Sequence, residues 1–315
     1  MIALSNGHKF EFCAGSGSLA FDGRGWPWEQ HLRLLGKVDP HLLTVIIKTL
    51  TPDPWEGNLR RYTPWKVIKF IDGKGEVVNP LFAALPLIGL PLPGRICGVV
   101  NAVGLTNPGR EVWVKTAHPI IIREGYKAII SFTREHGLSC QEMVIKLNGL
   151  KNIVGIEYNS SCPNVDPDLL RSPDLIVRNC NEIREVSEYP VGVKLGPSQP
   201  YLKIARQLEG VVEYININAP PWEMVFLRES PLSSLGGGAV SGKAAQSVTW
   251  EMIERLVQAI NIPVIGTSIW EYDDLWRLKQ IGAAAFQIGA VRFKGEEADC
   301  YIRKWNSRVL VYAAR

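Results

Sequence analysis

The chain has 315 residues, of which 46% are apolar and 21% charged, and its net charge is +4. That composition is globular and excludes a disordered chain. So small a charge gives no electrostatic case for nucleic acid, and no apolar run reaches the roughly 18 residues of a membrane span.

The six cysteines, at 13, 97, 140, 162, 180 and 300, have no C-x-x-C spacing. Reduced thiols in a cytoplasmic protein are expected, with no metal site. Met1-Ile2-Ala3-Leu4-Ser5-Asn6 lacks the basic and apolar regions of a signal peptide.

Strand-like and helix-like runs alternate along the chain, the pattern of a parallel α/β sheet. Residues 7–20 are expected to form a small hairpin closing the bottom of the sheet. Strands are predicted at 43–48, 97–101, 127–132, 153–158, 190–195, 212–218, 262–266 and 284–289. Residues 59–96 form an insertion after the first of these. Within it, Asp72-Gly73-Lys74-Gly75 is flanked by 67–71 and 76–78 as in a hairpin, and Pro80 to Gly94 is apolar and proline-rich. That last run is either buried packing or a docking segment. Ser172-Pro173 marks a helix start, with Ile176, Cys180, Ile183 and Ser187 on one face. Met252, Ile253, Leu256, Val257 and Ile260 recur at helical spacing over 247–260. A long loop, 219–238, follows the sixth strand.

Eight alternations in about 250 residues are the size of a closed (β/α)8 TIM barrel. A doubly wound sheet would carry a Gly-rich fingerprint after its first strand, and Lys48-Thr49-Leu50-Thr51 is not one. The chain reads as one barrel domain over 1–315, with an N-terminal hairpin and long insertions after strands one and six.

The working face of such a barrel is at the C-terminal strand ends. Lys48, Asn101, Asn159, Cys162, Lys194, Asn216, Asn218, Gly266-Thr267-Ser268 and Gly289 all map there. Among these residues there is no carboxylate, no histidine and no metal-ligand set. Asparagines both donate and accept, which suits a ring of alternating carbonyl and N–H groups. Lysines suit an anion or negative charge developing on a cofactor. Small residues after strands seven and eight suit a phosphate bound by backbone N–H groups.

Asn159-Ser160-Ser161-Cys162-Pro163-Asn164-Val165 resembles the N-x-S-C-P-N-V segment of class 1 dihydroorotate dehydrogenases. Lys48-Thr49 followed by Glu56-Gly57-Asn58 resembles their K-T/S…E-G-N. Asn101 to Gly109 is similar to N-A-I-G-L-x-N-P-G, and Val193-Lys194-Leu195 to V-K-L. Ser16-Gly17 resembles the A-S-G near the start, and Gly237 to Gly242 the G-G-L-S-G with one residue inserted. The matches run in family order from about residue 14 to 291.

The resemblance implies an FMN-containing (β/α)8 barrel that oxidises dihydroorotate to orotate in pyrimidine biosynthesis. It implies that Cys162 is the base that removes the C5 proton. Substrate would be held by Lys48, Asn101, Asn159, Asn164 and Asn218, with Gly104 and Leu105 contributing backbone. FMN would be held by Ser16, Gly17, Lys48, Asn159 and Lys194, with Ser241, Gly242, Gly266, Thr267 and Gly289 around its phosphate. The family also implies a homodimer and, for some members, an electron-transfer subunit carrying FAD and an iron–sulfur cluster.

Three departures mark a divergent member. Gly266-Thr267-Ser268-Ile269 stands for G-x-G-G, Ala290 stands where a hydroxyl residue is usual, and Ala219 stands where Ser or Thr would touch substrate. Three other readings stay open: an FMN oxidoreductase acting on another dihydropyrimidine-like ring, a barrel that has lost FMN and serves as a binding subunit, and a Schiff-base aldolase on Lys48 or Lys194.

Overall fold

The computed structural model describes residues 1–27, 29–59, 63–79, 92–134, 139–161 and 172–313. In chain order the strands are β1 (Ile2–Ala3), β2 (Lys9–Phe10), β3 (Phe12–Ala14), β4 (Val45–Ile46), β5 (Ile68–Asp72), β6 (Ile96–Asn101), β7 (Ala128–Phe132), β8 (Ile153–Asn159), β9 (Val191–Leu195), β10 (Tyr214–Ile217), β11 (Ala239–Gly242), β12 (Ile265–Gly266) and β13 (Ala285–Ile288). The helices are α1 (Gln30–Leu34), α2 (Pro64–Val67), α3 (Arg110–Thr116), α4 (His118–Glu124), α5 (Cys140–Ile145), α6 (Pro173–Val186), α7 (Tyr201–Gln207), α8 (Gln246–Ala259), α9 (Asp273–Ile281) and α10 (Glu297–Ala313).

Among the described residues, eight parallel strands close on themselves. One sheet runs β10-β9-β8-β7-β4 and another β12-β13-β3. Parallel bridges Cys13↔Thr44 and Ile215↔Val264 join them at both seams. This is the topology of a β/α barrel.

The total of eight conceals two compensating differences from the sequence expectation. Phe12–Ala14, assigned above to a hairpin, is the first barrel strand, pairing in parallel with β13. Ile96–Asn101, assigned above to the second barrel strand, instead lies at the centre of an antiparallel sheet, β11-β6-β5. The first insertion therefore follows the second barrel strand. The antiparallel hairpin is β1–β2, earlier than 7–20, with Ile2 opposite Phe10.

That hairpin covers the N-terminal end of the barrel. Ile2, Leu4 and Phe10 form one buried cluster with Cys13, Ile46, Ile129, Val154, Tyr214 and Ile265. Asn6 ties it down by donating to the Val154 carbonyl at 3.1 Å. Gly192 makes room in this layer, since a Cβ there would stand 2.1 Å from Cζ of the buried Tyr214.

Side chains alternate along each barrel strand, as strand geometry requires. In β8, Ile156 and Tyr158 join the large cluster that also holds helix residues, while Val154 points to the lumen cluster. Glu157 and Asn159, two residues apart, lie on the face opposite Ile156 and Tyr158, and the register shift against β7, where Ala128 pairs with Ile153 and Ile129 with Gly155, lets Val154 reach the lumen as well. The helices seal the outside: Ile176, Cys180 and Ile183 of α6, and Met252, Ile253 and Leu256 of α8, are all buried. Pro173 is the first residue of α6, although Ser172 makes no side-chain capping bond.

The antiparallel sheet packs on the loops that follow β12 and β13. Phe70, Ile96 and Val99 cluster with Trp270, and Ala290 and Phe293 rest against them. The turn at Asp72 forms as its sequence suggests: the Asp72 carboxylate accepts the Lys74 and Glu76 N–H groups. Its pKa lies below the usual range because of those two bonds.

Candidate active site

Lys48, Thr49, Ser131, Asn159, Lys194, Asn216 and Gln287 come from six different barrel strands or the residues just beyond them. Thr49 is the hub on one side. Its hydroxyl lies 2.9 Å from Ser131 Oγ and 3.2 Å from Ser16 Oγ, and it accepts from Asn159 Nδ2 at 3.1 Å. Ser16 Oγ also donates to the Ile47 carbonyl at 3.0 Å. Gly17 stands against the Lys48 stem, whose Cγ would be 3.4 Å from an added Cβ. Ser16, Gly17, Lys48 and Asn159 thus gather in one place.

On the other side is an arrangement the sequence reading missed. Glu157 is completely buried, and its Oε1 stands 2.9 Å from Nζ of Lys194, itself 5% exposed. The contact lies outside hydrogen-bond geometry. Oε2 accepts from Asn216 Nδ2 at 2.7 Å, and Asn216 Oδ1 accepts from Gln287 Nε2 at 2.6 Å. The mouth therefore does contain a carboxylate. Its signal was present: Glu157 lies two residues before Asn159, on the same strand face, and Lys194 is the register partner of Asn159.

The stretch ahead of Cys162 is anchored to the same lysine. Ser160 donates its N–H and its hydroxyl to the Lys194 carbonyl, at 3.2 and 2.9 Å. Ser161 donates N–H and Oγ to Asn159 Oδ1, at 3.3 and 3.1 Å. Cys162 and Asn164 lie outside the described residues.

The two motifs that flank the insertion meet each other. Trp55 and Asn107 exchange backbone bonds, and the Asn58 N–H reaches the Val103 carbonyl. Asn58 Nδ2 donates to the Ala102 carbonyl at 2.9 Å, and Trp55 Nε1 to the Gly104 carbonyl at 3.1 Å. This contact holds Gly104 at φ +66° and Leu105 at φ +64°. The left-handed region suits glycine but strains leucine. Asn101 is on β6 of the antiparallel sheet, not at a barrel strand end, and its Nδ2 donates to Ala239 O at 3.4 Å. Asn218 follows β10 and its N–H donates to the Leu195 carbonyl.

The loops after β12 and β13 offer room for a phosphate. Thr267 Oγ1 is buried and makes no hydrogen bond among the described residues. A Cβ on Gly289 would meet nothing within 4 Å, which leaves open space at the end of the neighbouring strand. An orphaned hydroxyl beside open space fits an anion there. Gly242 borders this region, with Trp270 Cε3 2.9 Å from an added Cβ. Gly266 has another reason to be glycine: a Cβ would press on Ala283 and Leu278. Ser268 occupies the left-handed region at φ +62°. It is fixed by a 3.0 Å bond from Thr249 to its hydroxyl and a 3.1 Å bond from Gln246 to its carbonyl. Asp274 gathers the N–H groups of Trp270 and Glu271. Among the described residues no group of three metal ligands occurs, and no helix is long and apolar enough to cross a membrane.

Comparison with known proteins places the chain in a family. The dihydroorotate dehydrogenase family model matches residues 92–304. The catalytic subunit of dihydroorotate dehydrogenase B (NAD+) from Caldicellulosiruptor saccharolyticus is 30% identical over 229 residues, 69% of this chain and 75% of that protein. The corresponding subunit from Bacillus mycoides is 29% identical over 231 residues, 70% of this chain and 74% of that one. Among solved structures, a ligand-free DHODH from Eimeria tenella superposes with a TM-score of 0.59 over 85% of this chain and 78% of that chain, at 13% identity, a likeness of fold. With the family model spanning more than half its length, the chain belongs to the dihydroorotate dehydrogenase family.

Proposed function

We propose that this protein oxidises dihydroorotate to orotate, with FMN as its cofactor. The observation that carries the reading is the convergence of Lys48, Asn159 and Lys194 at one barrel mouth, next to the stretch that leads into Cys162. FMN, when bound, would supply the acceptor for the hydride that leaves substrate C6.

The protein's own residues do the rest. Cys162 takes the C5 proton; an ordinary thiol has a pKa of about 8.5, so a modest depression brings the thiolate within range of neutral pH. Lys48, Asn101, Asn159, Asn164 and Asn218 hold the pyrimidine and its carboxylate, and the strained Gly104-Leu105 turn offers backbone to it. Lys194 would place a positive charge beside the flavin ring, where it favours negative charge. Ser16, Gly17, Ser241, Gly242, Gly266, Thr267 and Gly289 hold the ribityl and phosphate end, with the Thr267 hydroxyl as a donor.

The relatives' names include a catalytic subunit and NAD+. By extension, electrons from this chain pass to a partner subunit, and the chain itself is a homodimer in the cytoplasm. The test is an absorbance spectrum of the purified protein reconstituted with FMN. The reading expects flavin bands that bleach on addition of dihydroorotate. Bands that bleach only with another dihydropyrimidine would move the substrate assignment. A protein that stays colourless after reconstitution would overturn the flavoenzyme reading.

A further inference from the structure

A polar relay crosses the barrel lumen from Gln287 on β13 to Asn216 on β10, Glu157 on β8 and Lys194 on β9. The orientation of Asn216 is fixed by its own neighbour: Oδ1 accepts the Ile217 backbone N–H at 2.9 Å as well as Gln287 Nε2. Its Nδ2 must then be the donor to Glu157 Oε2. Oε2 is an acceptor and carries no proton, and the other oxygen faces an ammonium. The relay therefore holds Glu157 as a carboxylate at full burial.

Cys13 of β3 and Tyr214 of β10 also face this carboxylate. Burial and then the Glu157 charge keep their protons on, so neither competes for Lys194. The lysine's carbonyl meanwhile anchors Ser160, two residues before Cys162. A lysine this deeply buried, without a counter-ion, would lose its charge.

We propose that Glu157 is the positioning residue for Lys194: it keeps that ammonium charged and aimed into the lumen, and thereby sets how strongly a bound flavin holds electrons. The second half rests on the flavoenzyme reading above; the first half does not.

The test has two arms. In the first, lysine 13Cε NMR follows Lys194 across neutral pH in the flavin-free chain, with the signal assigned by its loss in Lys194→Met. The signal of Lys194 is expected to titrate at lower pH in Glu157→Gln than in wild type, because the buried ammonium has lost its counter-charge. Glu157→Asp, which draws the carboxylate back by one methylene, lowers that pH partway. An unshifted titration in either variant overturns the proposal, so a Gln variant that fails to fold leaves the Asp variant to decide.

In the second arm, the flavin midpoint potential is measured against pH in the reconstituted protein. Glu157→Gln should lie above wild type at acid pH, where Lys194 is charged and unbalanced. It should lie below at alkaline pH, where that charge is gone. Two curves that run parallel without crossing overturn the link to the flavin. A wild-type protein that takes up no FMN counts against the proposed function alone, because the lysine titration still decides whether Glu157 holds the charge.

Discussion

The two sides of the barrel mouth are built by different means. On the side of Asn159, Lys194 and Asn216, the functional groups sit within strands, and the two-residue period of the backbone places them. On the side of Thr267, Ser268 and Gly289, the groups sit in loops clamped from outside: Gln246 and Thr249 of α8 hold Ser268, and Trp250 Nε1 donates to the Thr267 carbonyl at 3.0 Å. Strand placement tolerates no change of charge. Loop placement depends on many separable contacts, and here it has absorbed a Ser at a left-handed position. Two of the three departures from the family pattern, at 266–269 and at Ala290, fall where the second kind of construction permits them.

The largest effect is expected on the strand side. Lys194→Met strands the Glu157 carboxylate in the lumen, and breaking a buried pair from one side costs about 3–5 kcal/mol. Urea unfolding should show that loss. Replacing both members, Lys194→Met with Glu157→Gln, should recover most of it, because a neutral pair leaves no stranded charge. A single variant as stable as wild type would mean that the pair does not organise the lumen. Next in size is Gly192→Ala, whose new Cβ would overlap the Tyr214 ring. Overpacking of this kind costs about 1–3 kcal/mol, visible as a lower urea midpoint.

The same contrast explains what could be read in advance. Strands β7 to β10 and β13 coincide with apolar runs of strand length, and Lys194, Asn159 and Asn216 followed from them. Glu157 was legible by the same alternation, but only once its strand was treated as facing a polar lumen instead of being buried in apolar surroundings on both sides. The first barrel strand was not legible: Phe12-Cys13-Ala14 is three residues long and follows the hairpin after a single residue. Ile96–Asn101 has the composition of a barrel strand. Only its partners, Ile68–Asp72 and Ala239–Gly242, make it antiparallel, and pairing at that sequence distance leaves no local mark. The contact of Glu56-Gly57-Asn58 with Val103 to Asn107 is likewise tertiary. Cys162 and Asn164, the centre of the sequence argument, lie outside the described residues, so they stand on their motif.

On the loop side the expected effects are smaller. Thr267→Val removes a hydroxyl that has no partner among the described residues. The flavin-free protein should melt unchanged, since no bond is lost. Affinity for FMN should weaken by about fivefold, the equivalent of one hydrogen bond of ~1 kcal/mol. Fluorescence titration of FMN into both proteins measures this. Equal affinity would remove Thr267 from the phosphate site.

The smallest effect tests whether the loop side is sensitive to pH. Glu29 receives the Trp26 N–H at 3.2 Å, and the Trp26 indole in turn donates to the Gly17 carbonyl at 2.9 Å, at the rim of the mouth. Burial raises the Glu29 pKa above the usual carboxylate range, against the pull of Arg292, which follows Gly289, and of the Trp26 bond. A carboxylate raised in the fold favours the native state while protonated. That contribution is complete below the unfolded pKa and is lost as pH rises through the folded one. Glu29→Gln keeps an acceptor for Trp26 but cannot ionise. Thermal melts of the two proteins should therefore coincide at acid pH and separate above the usual carboxylate range, with the Gln variant the more stable. A difference in Tm that is flat across that range would mean the Glu29 side chain is solvated in the native protein, and that the rim is held by its neutral contacts alone.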